Sequence, residues 1–338
     1  MGSWNRAEQK QGPGRKRPAC GILACMTPTD IEAAAARIQG HVRRTPIIEL
    51  EPRAFGVAAR LVLKLELMQH AGSFKSRGAF NRLLAAQVPE AGVIAASGGN
   101  HGAAVAYAAR QLGHRAEIFV PESTPDVKIE RLRRYGAQVM LSGASYAEAW
   151  AASQTRARDT GALEVHAYDQ PEVVAGQGTL GREFEGQCKA TDLSGLDTVF
   201  VAVGGGGLIG GVAAWFAGRV KVVAVEPERC PTLYTAIRDG EPVDVEVGGI
   251  AADSLGARRI GRIGFEVARQ HVDSIVLVSD QEIRDSQRAL WDSVRMLVEP
   301  GAAAALAGLR TGKYQVGAGE RVGVVVCGAN TDPAKFAA

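Results

Sequence analysis

The chain has 338 residues, a net charge of +3, 46% apolar and 22% charged residues. That length admits one large or two modest domains with a sizeable core, and so small a charge offers nothing to a nucleic acid. The five cysteines (Cys20, Cys25, Cys188, Cys230 and Cys327) are odd in number and form no Cys-x-x-Cys pair. This argues against a disulfide framework or a zinc site and fits a reducing cytoplasm. No apolar run reaches the roughly 20 residues of a membrane helix.

Residues 1–25 are polar and carry Arg15, Lys16 and Arg17 in a row. A solvated, disordered extension is expected there, since no apolar stretch is long enough for a signal peptide. Thr29 or Asp30 is placed to cap a helix over 31–38. Strands are expected over 60–66, 92–96, 116–120 and 138–141, with helices over 78–86, 100–112, 126–134 and 145–159. The alternation resumes with strands over 198–203, 221–226, 275–278 and 321–327, and helices over 208–216 and 280–296. Apolar strands alternating with helices predict an α/β fold, with mostly parallel sheets covered on both faces. In such sheets ligands gather at the carboxyl ends of the strands. The loops after Ala96, Val203 and Val326 all fall there.

Four segments carry chemistry. Gly204-Gly205-Gly206-Gly207-Leu208 follows an apolar strand and opens a helix. Glycines let amide groups wrap an anion, and the helix dipole adds to the attraction, so the loop is read as a phosphate cradle. No Lys-Ser or Lys-Thr follows, so it is not a P-loop. Gly205, Gly207 and Gly210 also satisfy Gly-x-Gly-x-x-Gly with Glu226 ending the next strand, which keeps a nicotinamide dehydrogenase open on this segment alone. In Gly72-Ser73-Phe74-Lys75-Ser76-Arg77-Gly78, small neighbours allow the Lys75 amine to be desolvated, which would make it a nucleophile or base. Ser97-Gly98-Gly99-Asn100-His101-Gly102 again opens a helix and offers groups for a carboxylate or a phenolic oxygen. Val326-Cys327-Gly328-Ala329-Asn330 places a thiol at a strand end. Each segment also has a plain reading: a surface lysine, a capped helix, a tight turn, a buried inert cysteine.

The ordered set is more specific than its parts. A lysine between small residues, then SGGNHG, GGGGL, EPGAA and CGAN resembles the fold-type II pyridoxal-phosphate (PLP) enzymes, in particular the threonine/serine dehydratase and serine racemase group. The resemblance runs from about Met26 to the C-terminus. It implies a two-domain, tryptophan synthase β-like fold, with 26–89 and 167–338 as a large PLP-binding domain and 90–166 as a small mobile one. It implies that Lys75 is the Schiff-base lysine and catalytic base, that Phe74 packs by the cofactor ring, that Asn100 bonds its phenolic oxygen, and that Gly204, Gly205, Gly206, Gly207 and Leu208 hold its phosphate. Cys327 is matched to the position at the pyridine nitrogen, and Glu299 to an acid near ring and substrate. Ser97, Gly99, Asn100 and His101 are matched to the grip on the substrate carboxylate.

The activity implied is dehydration of L-threonine or L-serine to 2-oxobutyrate or pyruvate plus ammonia. A racemase or a lyase on another hydroxy amino acid, such as a 3-hydroxyaspartate, is the alternative. Racemisation needs a second acid/base, and the position after Ser97 that carries a serine in serine racemases is Gly98 here. Ala167-Tyr168-Asp169-Gln170-Pro171 followed by Gly176-Gln177-Gly178-Thr179 looks more like the dehydratases. The group often holds a divalent metal at the acid matched by Glu226; its later acid is replaced by Thr232, and no metal is expected. No appended regulatory domain is expected either. A cytoplasmic homodimer acting on a small amino acid completes the expectation.

Overall fold

The computed structural model describes residues 26–337 together with Trp4 and Asn5; the rest of the extension expected over 1–25 lies outside the described residues. In chain order the first half comprises β1 (Trp4–Asn5), α1 (Pro28–Ile38), β2 (Ile47–Glu49), β3 (Arg60–Leu65), α2 (Lys75–Leu84), β4 (Val93–Ala96), α3 (Asn100–Gln111), β5 (Ala116–Val120), α4 (Asp126–Arg134), β6 (Gln138–Leu141), α5 (Tyr146–Thr160) and β7 (Leu163–Glu164). The second half comprises α6 (Pro171–Lys189), β8 (Thr198–Ala202), α7 (Gly207–Phe216), β9 (Lys221–Pro227), α8 (Thr232–Asp239), α9 (Ala252–Leu255), α10 (Arg262–His271), β10 (Ser274–Val278), α11 (Asp280–Val294), α12 (Pro300–Arg310), β11 (Arg321–Val326) and α13 (Pro333–Ala337).

The strands form two sheets: β1-β10-β9-β8-β11-β3-β2, and β6-β5-β4-β7. Every pairing is parallel except β1 with β10 and β2 with β3, which lie at the edges of the larger sheet. Central strands such as β8 (TVFVA) and β11 (RVGVVV) are buried along almost their whole length, as a sheet covered on both faces requires. The α/β class with mostly parallel sheets is thus the observed one.

Three local details differ from the expectation. The cap of α1 is Thr27, whose hydroxyl accepts from the Asp30 amide while Asp30 Oδ2 accepts from the Thr27 amide at 2.9 Å. Pro28, with φ preset for the first helical turn, starts the helix one residue before Thr29. Helix α2 begins at Lys75, not Gly78. Gly78 is a close-approach residue: a Cβ there would lie 2.3 Å from Gln177 Nε2 and 2.9 Å from the Val173 carbonyl. Its partner is α6, a 19-residue helix that the glycines at 176 and 178 disguise as a loop. A Cβ on Gly176 would meet the Arg77 carbonyl at 2.7 Å, and one on Gly211 the Gly178 amide at 2.4 Å. These glycines let α2, α6 and α7 pack backbone to backbone beneath the large sheet.

A buried ion network ties the same helices to β3. Arg77 donates through Nε and Nη2 to Glu66 at 2.8 and 2.7 Å, and Nη2 lies 3.1 Å from Glu183 Oε2. Lys64 Nζ donates to Glu183 Oε1 at 2.5 Å, the Thr45 carbonyl at 2.8 Å and Gln187 Oε1 at 2.7 Å. Lys64, Glu66 and Arg77 are inaccessible to solvent. Burial pushes the Glu66 carboxyl up, but the adjoining Arg77 guanidinium more than offsets that and holds it below its ordinary range.

Candidate active site

The loops after β4, β8 and β11 and the segment before α2 converge between the two sheets. The Phe74 amide donates to the Cys327 carbonyl at 3.1 Å, and Ser73 bridges to Gly328, so the lysine segment is stitched to the end of β11. Lys75 is the first residue of α2. The residue is half-buried; its Nζ donates to the Ala167 carbonyl at 2.7 Å and stands 5.3 Å from the centroid of the Phe74 ring. Burial lowers its pKa to about 8, against the opposing pull of Cys327 and Glu299.

The glycine loop presents its backbone to the same cavity. Among the described residues, no acceptor faces the amides of Gly205, Gly206, Gly207 and Leu208, as expected at an uncapped helix start. A Cβ on Gly205 would lie 2.2 Å from the Tyr168 ring, and one on Gly204 2.9 Å from the Leu255 carbonyl. Gly206 sits at φ +93, a conformation that glycine adopts freely. Glycine is therefore required for closeness at 204 and 205 and for backbone shape at 206.

Asn100, Glu299 and Asn330 form a chain across the site. Asn100 Nδ2 donates to Glu299 Oε1 at 2.7 Å, and Asn330 Nδ2 donates to Asn100 Oδ1 and the Ala71 carbonyl, each at 2.7 Å. Burial raises the Glu299 carboxyl to about 7 and pushes the Cys327 thiol far up, so the thiol is neutral. A Cβ on Gly328 would fall 2.3 Å from Glu299 Oε1, which fixes glycine at that position.

One cavity is lined by all the residues matched to the cofactor: Phe74, Lys75, Asn100, Gly204, Gly205, Gly206, Gly207, Leu208, Glu299 and Cys327. Of the four matched to the substrate carboxylate, Gly99 and Asn100 line an adjoining cavity of about 640 Å³. Ser97 and His101 line neither. Ser97 Oγ accepts from the Gly99 amide at 3.2 Å and so shapes the turn. His101 is buried, with Nε2 2.8 Å from the Val165 carbonyl, and burial lowers its pKa to about 3. Glu226 Oε1 and Oε2 accept from the Leu233 and Tyr234 amides at 2.7 Å each, and Thr232 Oγ1 lies 3.0 Å away. Among the described residues no three His, Cys, Asp or Glu side chains gather as metal ligands would.

Tyr168, whose ring walls the glycine loop, and Ser254 and Leu255, which close over it, also line the site. Tyr168 stands in the 167–171 segment whose pattern resembles the dehydratases. Nothing in the sequence marks Ser254 or Leu255. An aldehyde-bearing phosphate cofactor fits this arrangement: unpaired amides for the anion, a desolvated amine for the aldehyde, and apolar walls between them.

Residues 38–328 match the family model described as pyridoxal-phosphate dependent enzyme. The chain belongs to the PLP-dependent enzyme family. It is 37% identical to a phenylserine dehydratase from Ralstonia pickettii, over 93% of this chain and 97% of that one. It is 36% identical to a biosynthetic L-threonine dehydratase from Pasteurella multocida over 82% of this chain, of whose length it spans only 54%. Among solved structures, a threonine deaminase from T.th. superposes with a TM-score of 0.85 at 32% identity, covering 90% of this chain and 99% of that one. The fold is the type II PLP fold, and the cofactor of the family is PLP.

Proposed function

We propose that this chain is a PLP-dependent dehydratase (ammonia-lyase) that converts L-threonine or L-serine to the corresponding 2-oxo acid and ammonia. The observation that carries this reading is the sharing of one buried cavity by the Lys75 amine and the free amides of the four-glycine loop. The dehydratase relatives support the reaction class.

When bound, PLP supplies the electron sink for charge developing at the substrate Cα. Lys75 would hold the aldehyde of the cofactor, and its amine is the group placed to take the Cα proton; its lowered pKa leaves it competent as a base near neutrality. The amides of Gly205 to Leu208 would hold the phosphate. Asn100, oriented by Glu299 and Asn330, would be the group that bonds the phenolic oxygen. Ser97 and Gly99 shape the turn for the substrate carboxylate, and neutral His101 backs it rather than pairing with it. Cys327, an uncharged thiol, cannot stabilise a protonated pyridine nitrogen as a carboxylate would. That favours prompt loss of the β-hydroxyl over slower chemistry at Cα. Residues 90–166, which contain the smaller sheet, would close on substrate and exclude water. We place the enzyme in the cytoplasm as a homodimer; among the described residues no helix is long and apolar enough to cross a membrane.

The test is a panel of β-hydroxy amino acids scored for keto-acid release by the purified holoenzyme. Release of 2-oxobutyrate from L-threonine is expected; no release from any member would end the proposal. Two further outcomes follow from the site. Gly98→Ser should raise D-serine formation from L-serine at least about tenfold, because it restores a hydroxyl able to pass a proton. The nearest atom to the added Cβ is Thr124 Cγ2, at 3.3 Å, with Val120 Cγ1 at an ordinary 3.6 Å, so a small shift of the Thr124 side chain accommodates it; unchanged chiral chromatograms would remove Gly98 from the argument. The rate at which apoprotein captures PLP should rise with pH and level off above about 8, because only the neutral Lys75 amine attacks the aldehyde. A rise continuing towards pH 10, read by stopped-flow absorbance, would contradict a buried amine.

A further inference from the structure

We propose that the cavity beside Asn100 and Glu299 receives a side-chain carboxylate, with Arg131 as its binding group, so that the preferred substrate is an acidic β-hydroxy amino acid. The inference rests on the dehydratase reading and moves its preferred substrate from L-threonine and L-serine to an acidic β-hydroxy amino acid undergoing the same elimination.

The cavity lies between α4 and α11 and opens onto Gly99, Asn100 and Glu299. Helix α4 contributes Lys128, Arg131 and Arg134, and α11 contributes Arg284 and Arg288. Lys128 is already engaged with Asp253, and Arg288 is 3.7 Å from Asp285. Arg134 and Arg284 are exposed to water and need no partner. Arg131 differs from all of these. It is half-buried, its Nε is shut off from solvent, and that Nε has no hydrogen-bond acceptor among the described residues. No carboxylate lies within ion-pair distance of its guanidinium among those residues.

A desolvated, unpartnered N–H costs about 1–3 kcal/mol, more when charged, and native proteins keep such groups where a ligand completes them. Burial disfavours the charge on Arg131, with Tyr135, Glu299 and Asp253 opposing. Glu299 does not supply a full counter-charge, since its own carboxyl is raised to about 7 and accepts from Asn100. A guanidinium presents paired donors that match a carboxylate in two-point fashion. The substrate's own α-carboxylate is assigned to the 97–101 turn, and Gly99 and Asn100 of that turn share this cavity with Arg131. A second carboxylate on Cβ would satisfy Arg131 from within the site; the methyl of threonine leaves it unpaired.

The test compares kcat/KM of the holoenzyme for L-threo-3-hydroxyaspartate and L-threonine in the parent protein, Arg131→Met and Arg131→Lys. The acidic-to-neutral ratio should exceed one in the parent, fall about 30-fold or more in Arg131→Met and recover in part in Arg131→Lys, as loss of a charged hydrogen bond requires. Calorimetry supplies a readout free of turnover. L-aspartate, which has no hydroxyl to lose, should bind tighter than L-alanine, and Arg131→Met should erase the difference. A ratio unmoved by Arg131→Met, or equal binding of L-aspartate and L-alanine, overturns the inference. Absence of turnover with both hydroxy acids would sink the dehydratase reading instead, and the aspartate preference would still decide the role of Arg131.

Discussion

Lys75→Ala is expected to lose at least about 10⁴-fold in turnover and to bind no cofactor covalently. Two roles fall on one amine: it carries the aldehyde and it moves the Cα proton. Proton transfer by a positioned base alone contributes roughly 10²–10⁴-fold, and loss of the covalent link removes the organised resting state as well. The fold should survive. Lys75 opens α2, and among the described residues its only side-chain hydrogen bond is to the Ala167 carbonyl. The parent protein should be yellow; the variant should keep its circular dichroism and thermal midpoint and be colourless after dialysis. Retention of more than a few per cent of activity, or of a borohydride-sensitive band, would assign the chemistry elsewhere.

Glu66→Ala is expected to destabilise the protein by about 3–5 kcal/mol, the largest stability effect of any single polar change here. Removing one partner of a buried pair leaves the other charge uncompensated in a low dielectric. Arg77 would then keep the Thr179 hydroxyl at 3.3 Å and, among the described residues, Glu183 as its one paired carboxylate, which is shared with Lys64. Replacing Glu66 and Arg77 together by apolar residues of similar volume should cost less than Glu66→Ala alone, because no charge is stranded. Denaturant midpoints of the three variants give the comparison. A Glu66→Ala midpoint equal to that of the parent would show that water or a rearranged Glu183 replaces the pair. Arg77 lies two residues beyond Lys75 on the same helix, so the variant should also weaken cofactor retention.

The strands and amphipathic helices were legible because their patterning is local. Periodicity places β5 and α4 at Ala116–Val120 and Asp126–Arg134, the bounds they have in the structure. The site loops were legible for a related reason: strand-end glycine turns at 97–99 and 204–207 break the pattern abruptly, and they do so at helix starts. What stayed hidden depends on distant partners. Helix α6 looks like a loop because glycines such as Gly176 and Gly178 are rare inside helices, and the α2 backbone pressing on Gly176, with the Ile31 side chain and the α7 backbone pressing on Gly178, explains their presence. Arg77 gave a hint of the lysine's environment but not of its engagement with Glu66 and Glu183, 11 and 106 residues away in sequence. His101 looked like a group for a substrate carboxylate; its ring is committed to the Val165 carbonyl, a contact that folding alone creates. Arg131 sits on a helix rich in basic residues, and only burial of its Nε separates it from its solvated neighbours.

Borohydride reduction of the freshly purified protein followed by mass mapping of its peptides addresses the catalytic amine directly. The account predicts that the pyridoxyl adduct falls on the peptide containing Lys75 and on no other lysine, at one equivalent per chain. An adduct on Lys64, Lys128 or a surface lysine, with the Lys75 peptide unmodified, would contradict it.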